Sequence, residues 1–332
     1  MARLGAGSFV GLALLGFATD GVAADIDMWF PVEESFDGLQ AERDLITFND
    51  LSGDFESTPT LAAGQRRVTG TLKLKATYGG LQDLLRAITG HNSAPTGSGP
   101  YTYSFTPVPR SSSSHYVFGS TPRGWCIEVF KGGSAANSTF YQGCVISSVK
   151  IAFKPNSLVE IDLSFQGRKY TSSAKSTPTF KVDRIKTPTG QVANMISLGG
   201  TQYVTHSADL EIALNVEPRY DVSAVDPLQP LPSSKQGVTL SCEIETDDDA
   251  FLARLDDPET QRFTSGSLSI VESASRSLIF TFDELVLKPP AEQRATSLGL
   301  VKSSLTMMAM ASTITGPSYT VALINSESAY NS

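Results

Sequence analysis

Three cysteines, three histidines and two tryptophans in 332 residues leave this chain short of the side chains on which most catalytic and metal chemistry rests. Cys126, Cys144 and Cys242 are odd in number, far apart and never arranged as C-x-x-C. That excludes a disulfide framework and a cysteine metal knuckle, and leaves reduced, structural cysteines. His91, His115 and His206 lie in separate turn-like contexts and read as solvated loop residues rather than bases. GxSxG, GxxxxGK, a GxGxxG after a strand and HExxH are all missing, so neither an enzyme nor a cofactor is expected. The acidic run ETDDDAFLARLDDPE (245–259) lacks the central glycine and terminal glutamate of a calcium loop, so Asp247 to Asp249 read as a helix N-terminus instead.

Charge is sparse as well. Charged residues make up 18% of the chain, and 26 basic against 34 acidic side chains give a net charge of -8. That balance argues against a protein that grips nucleic acid by neutralising phosphates, but not against a surface past which nucleic acid slides. No apolar run approaches the ~20 residues of a spanning helix, so no membrane partner is expected. The longest candidate, SFVGLALLGFA (8–18), follows Arg3 and precedes Val22, Ala23 and Ala24, the outline of a secretory signal. A single basic residue, and Gly11 and Gly16 within the run, fit equally an apolar segment of the fold.

What the chain does have is glycine (27), proline (18) and alternation. VTGTLKLKAT (68–77) sets Val68, Leu72, Leu74 and Ala76 against Thr69, Thr71, Lys73, Lys75 and Thr77, the period of a half-buried strand. The same pattern predicts strands over 125–130, 147–153, 159–165, 207–214, 238–245, 266–272, 277–288 and 318–324, bracketed by turn residues. Helical spacing appears only in GGLQDLLRAITG (79–90) and DDDAFLARLDDPE (247–259).

Residues 68–85 align without a gap on 238–255, which indicates an internal duplication. Phe153, Lys154 and Pro155 then match Leu287, Lys288 and Pro289, and 159–165 matches 301–307. Between the first two anchors the offset falls from 170 to 134, giving the first copy about 36 extra residues, seen as the surface excursion 91–114 with a possible strand in YTYSF. The boundary falls in the Lys-, Ser- and Pro-rich stretch 169–190.

The succession DMWFPVEESFDG (27–38), STPTLAAGQRRVTGTLKLKA (57–76), GLQDLLRAITG (80–90), PYTYSFTP (100–107) and FYQGCVISSVKIAFKPNSLVEIDLSFQGR (140–168) resembles the tail tube (major tail) proteins of long non-contractile-tailed bacteriophages. The resemblance implies an all-β fold: two tandem tail-tube-type β-sandwich or barrel domains, 1–175 with the long loop 91–114 and 176–332, each with one short flanking helix. It implies a structural subunit self-assembling into stacked rings, here three chains with pseudo-sixfold symmetry, whose lumen conducts viral DNA. The implied partners are other copies of the chain, tape-measure and tail terminator proteins, and double-stranded DNA in transit without specific binding. The implied location is the virion tail, assembled in the host bacterial cytoplasm.

Within that frame Glu160, Asp162, Glu243 and Glu245, on the polar faces of predicted strands, are candidate lumen carboxylates. The duplication sets Lys73 and Lys75 against Glu243 and Glu245, Lys150 against Glu284 and Glu160 against Lys302, candidates for charge pairing between neighbouring domains. The loops 51–67 and 225–236 are candidates for reaching the next ring, and the N-terminal run for burial against a neighbouring subunit. An exported β-sandwich binding module or adhesin domain is the alternative, with a β-rich hydrolase of dispersed catalytic residues behind it. With only Trp29 and Trp125 available, a row of aromatics for a carbohydrate surface is lacking.

Overall fold

The computed structural model describes residues 8–31, 38–48, 60–91, 94–109, 111–132, 136–180, 183–186, 195–221, 226–246, 261–295, 301–313 and 316–327. The first elements are β1 (Phe9–Gly16), β2 (Met28–Pro31), β3 (Leu39–Phe48), β4 (Thr60–Lys75), α1 (Leu81–Thr89), β5 (Tyr101–Phe105) and β6 (Arg123–Phe130). Next come β7 (Asn137–Phe153), β8 (Glu160–Gly167), β9 (Lys169–Ala174), β10 (Ile196–Leu198), β11 (Thr201–Tyr203), β12 (Thr205–Ala213), β13 (Val216–Arg219) and β14 (Leu228–Pro232). The last are β15 (Gly237–Thr246), β16 (Arg262–Phe263), β17 (Gly266–Ser273), β18 (Arg276–Phe282), β19 (Glu284–Ala295), β20 (Val301–Met310) and β21 (Tyr319–Asn325). The class is all-β. The helix expected over 247–259 lies outside the described residues.

A sheet of 13 strands forms one layer and a sheet of six, in the order β11-β10-β17-β18-β21-β5, forms the other. Period-two alternation explains the pairing of layers. On β15 the buried Val238, Leu240, Cys242 and Ile244 alternate with half-exposed Thr239, Ser241, Glu243 and Glu245, so one face must be covered. The second sheet supplies Leu268, Ile270, Leu278, Phe280, Val321 and Leu323 to the same continuous core, and α1 adds Leu81, Leu84, Leu85 and Ile88. Residues from both halves of the chain belong to that one core.

β7 is the hub. Its first half pairs with β6 and β9, its second with β8 and β12. Through β12 the ladder passes from the first half of the chain into the second, while β5 of the first half pairs with β21 of the second. The excursion 91–114 is therefore not wholly at the surface: Tyr103 and Phe105 on β5 are buried, because β5 completes the second sheet. Nor is 169–190 simply a linker, since β9 lies within it.

The stretch 277–288, expected as one strand, divides at Asp283 between the two sheets. Asp283 Oδ2 accepts the Ser312 N–H and hydroxyl, both at 2.6 Å, which fixes the corner where the chain crosses from β18 to β19. α1 is closed by Gly90 at φ +71, whose N–H donates to the Arg86 carbonyl at 2.9 Å. A Cβ on Gly90 would lie 2.2 Å from Nε2 of His115. His115 is not solvated: it is buried, and its Nδ1 accepts the N–H groups of Val117 and Phe118 at 3.1 and 3.2 Å. His206 lies in β12 rather than a turn.

The C-terminal strand secures the start of α1. Asn325 Nδ2 donates to the Tyr78 carbonyl at 2.9 Å and to Gln82 Oε1 at 3.2 Å, and Glu327 accepts the Gly80 N–H and the Gln82 amide. The three cysteines are free and buried, and burial pushes the thiols of Cys126 and Cys242 up to about 12.

The N-terminal run is β1, inserted between β2 and β6. Val10, Leu12 and Leu14 enter the main core, while Ala13 joins Ile26, Cys126 and Phe140 in a small cluster on the other face. Burial on both faces explains an unbroken apolar run where half-buried strands alternate. Gly11 sits opposite both Trp29 and Glu128, where a Cβ would come 2.6 Å from Ile26 Cγ2. The run is thus covered by its own chain, and the expected burial against a neighbouring subunit is replaced by burial within the sheet. Leu12→Ala, at a site with no exposure, should cost about 2–5 kcal/mol. In urea unfolding this appears as a lower midpoint at unchanged slope.

Candidate functional site

Eight strands of the large sheet lie edge to edge as β3-β4-β8-β7-β12-β15-β20-β19, all antiparallel. They form two four-stranded units whose registers coincide. Leu39↔Gly70, Gln40↔Thr69 and Ala41↔Val68 in the first correspond to Leu210↔Leu240, Glu211↔Thr239 and Ile212↔Val238 in the second. Thr71↔Ser164, Lys73↔Asp162 and Lys75↔Glu160 correspond to Ser241↔Thr306, Glu243↔Ser304 and Glu245↔Lys302. These are the equivalences of the alignments of 68–85 on 238–255 and of 159–165 on 301–307.

The remaining alignment shifts. Ser148 and Lys150 face Ser164 and Asp162, while Lys288 and Glu292 face Thr306 and Ser304, so Lys288 is the counterpart of Ser148 and Glu292 that of Lys150. The match of Lys150 with Glu284 is therefore displaced. Its anchor was a Lys-Pro pair that follows the end of β7 but falls inside β19, at an irregularity between Lys288 and Glu292. Proline has no N–H to give a ladder, which accounts for a break there.

The face of this run away from the core is open and polar. Glu160 and Asp162 on β8, and Glu243 and Glu245 on β15, all lie on it, each half-exposed between buried neighbours. The four expected lumen carboxylates thus share one surface. No aromatic side chain interrupts it among the described residues, and Trp125 is buried while Trp29 is half-buried and donates to the Ser176 hydroxyl at 2.8 Å.

Within one chain, the lysines and carboxylates expected to meet between neighbouring domains stand apart. β4 and β15 are separated by β8, β7 and β12, roughly 19 Å at ~4.8 Å per strand. Each unit pairs its own charges with opposite polarity. In the first, Lys75 on β4 bonds Glu160 on β8; in the second, Lys302 on β20 lies 3.7 Å from Glu243 on β15 and faces Glu245 across the ladder. Glu245 also meets Nε2 of His206 at 2.7 Å, and Glu284 lies 3.6 Å from Arg262. Across the β7–β12 joint itself Lys150 pairs with Asp209 at 3.0 Å, and away from it Arg66 and Arg168 of the first unit lie 4.0 and 3.7 Å from Asp226 of the second. Asp209 and Glu211 are the residues sequence reasoning passed over; their alternation with Ala208, Leu210 and Ile212 marks the polar face, but nothing local marks a junction.

These partners set the titration. The Lys75 hydrogen bond holds the Glu160 carboxyl below its usual range, while burial pushes the Asp162 carboxyl above its own despite Lys73. The hydrogen bond to Asp209 raises Lys150. Among the described residues no group of three or more His, Cys, Asp or Glu is placed to hold a metal ion, and no helix is long and apolar enough to cross a membrane.

Residues 11–309 match the family model described as phage tail tube protein. The chain belongs to the phage tail tube protein family. A comparison with curated proteins finds no match. Membership makes the chain a structural component of a phage tail tube, located in the virion tail and assembling with itself.

In a cycle of Lys75→Met and Glu160→Gln, the coupling should be under about 1 kcal/mol at pH 7, since both groups are partly exposed. The Glu160 carboxyl is depressed in the fold, so this stability is complete above the ordinary glutamate range and lost as pH falls through the folded value. Denaturant unfolding at pH 7 and pH 3 checks it: coupling should shrink at the lower pH.

Proposed function

We propose that three copies of this chain close a tail tube ring with pseudo-sixfold symmetry, each copy contributing two fused tube units, 1–175 and 176–332. The observation that carries this reading is the pair of four-stranded units in matching register, already joined edge to edge by β7 and β12. Joining one unit's trailing strand to the next unit's leading strand is a head-to-tail contact, and such contacts build rings when the rotation closes.

The open polar face lines the lumen in this reading. The opposite face of the same strands is covered by the core, so the polar face is the broad surface left to meet DNA. Carboxylates there, Glu160, Asp162, Glu243 and Glu245 among them, repel phosphates and let a duplex slide without sticking. Their ion pairs with lysine keep the field moderate.

The hairpins leaving both units at one end are the proposed contacts with the next ring. In the first unit, β3 and β4 continue past a bulge to Phe48↔Thr60, with 49–59 outside the described residues. In the second, β13 and β14 form a separate ribbon, docked by Gln229 Nε2 on the carbonyls of Val117 and Arg123 at 3.1 and 3.2 Å. Tape-measure and terminator proteins complete the proposed partners, with the tube assembled in the host cytoplasm.

Electron microscopy of the purified chain is the test. Stacked rings of three chains are expected, each with six similar densities around an open lumen. Rings containing six chains, with both halves of each in one radial sector, would replace this arrangement.

A further inference from the structure

The eight-stranded run has two ends, and among the described residues both are unpaired along most of their length. β3 pairs only with β4 among the described strands. β19 is paired on its outer edge only at Leu285 and Val286, by β16, with the Leu287 N–H bonded to the Gln261 carbonyl at 3.0 Å. From Lys288 to Ala295 that edge has no described partner strand. Unpaired edges of this length invite another strand.

The interior of the chain shows what each edge takes. β7 is the counterpart of β19 and β12 the counterpart of β3, and these two are hydrogen-bonded to each other. β6 covers the outer edge of β7 only as far as Cys144, and β12 begins at Ser148. On β19, β16 stops at Val286 just before the bare stretch begins.

We propose that β19 of one copy pairs antiparallel with β3 of a second copy, in the register set by the internal β7–β12 joint. Resting on the tail tube reading, this names the partner strands and the residues that meet. Lys150↔Glu211 and Ile151↔Leu210 inside the chain become Glu292↔Gln40 and Gln293↔Leu39 between copies. Ser148↔Ala213 becomes Lys288↔Glu42, which sets opposite charges against each other at a row that is uncharged in the internal joint, beside the Arg67 already 2.6 Å from Glu42. Between these two pairs, Pro289 to Ala291 on β19 stand against the single Ala41 on β3. Two prolines without N–H groups form a bulge there, so the internal joint and the joint between copies differ in shape. That difference prevents the wrong edges from joining: the β7 and β12 edges are consumed within the chain, and the remaining pair fits in one register only.

Disulfide trapping in assembled tubes tests the register. Residues opposite each other in an antiparallel pair have Cα atoms about 4.5–5.5 Å apart, within the range a disulfide spans. The native Cys126, Cys144 and Cys242 are buried and unpaired, so they do not compete. Two variants, Gln40→Cys with Glu292→Cys and Glu42→Cys with Lys288→Cys, are each assembled, mildly oxidised and run without reductant. Covalent dimers and trimers, with no larger species, are expected from both. An out-of-register pair, Gln40→Cys with Lys288→Cys, should stay monomeric, and Lys150→Cys with Glu211→Cys should close within one chain.

Tubes that form normally yet give only monomers from both in-register variants would overturn this pairing and leave the tail tube reading intact. Failure of the unmodified chain to form rings or tubes overturns the assembly reading and the pairing with it. A variant that no longer forms tubes is read by its partner variant, since the two place cysteines on different rows.

Discussion

The backbone ladder between β7 and β12 is the joint on which the rest of the molecule depends. It carries the sheet from the first unit into the second, and it runs Phe153↔Ala208 to Ser148↔Ala213 with apolar pairs on the core side and Lys150 beside Asp209 on the polar side. Both layers are arranged around it. The second sheet spans the joint because β5 comes from one unit and the other five strands from the next, so neither unit's core is complete alone. A ladder also constrains more than a packed surface does: a one-residue slip would turn every core side chain of β12 to solvent.

That constraint explains why the two units can differ so much in sequence. What must be kept is the parity of each strand and the partner opposite each residue. Lys75 with Glu160 becomes Glu245 facing Lys302, reversing both signs while preserving attraction. Such exchange is nearly free on a half-exposed face, where each pair is worth under about 1 kcal/mol. In the core the exchange stays apolar: Leu72 becomes Cys242 and Leu163 becomes Leu305, and all four are buried.

Much of this was legible in the sequence because alternation is a local property. VTGTLKLKAT, SADLEIAL and VTLSCEIE each announce a strand and its inward face, and the duplicated pattern in 68–77 and 238–245 anticipates identical registers. The helix 81–89 was equally plain from its leucines and closing glycine. Three things were not legible, each for a physical reason. β1 is buried on both faces, so it lacks alternation and imitates a signal sequence. The corner at Asp283 interrupts no hydrophobic pattern, because residues on either side are buried in the same core from different sheets. The partner of Lys150 is long-range, and no spacing rule relates residue 150 to residue 209.

In the proposed ring, fusion of two units into one chain changes the physics of closure. An assembly of single units makes every joint by collision, and each joint loses translational and rotational freedom. In the proposed arrangement every second joint is intramolecular, formed during folding at the high effective concentration a short connection provides. The joints that remain no longer need to resemble the internal one, since each edge is now distinct in sequence. β16 shortens the free edge of β19, prolines break it once, and β3 continues into a hairpin that β12 replaces with a ribbon. A chain of two unlike halves can therefore encode which edge meets which. Six identical units lack that capacity, because any device that strengthens one of their joints alters all six.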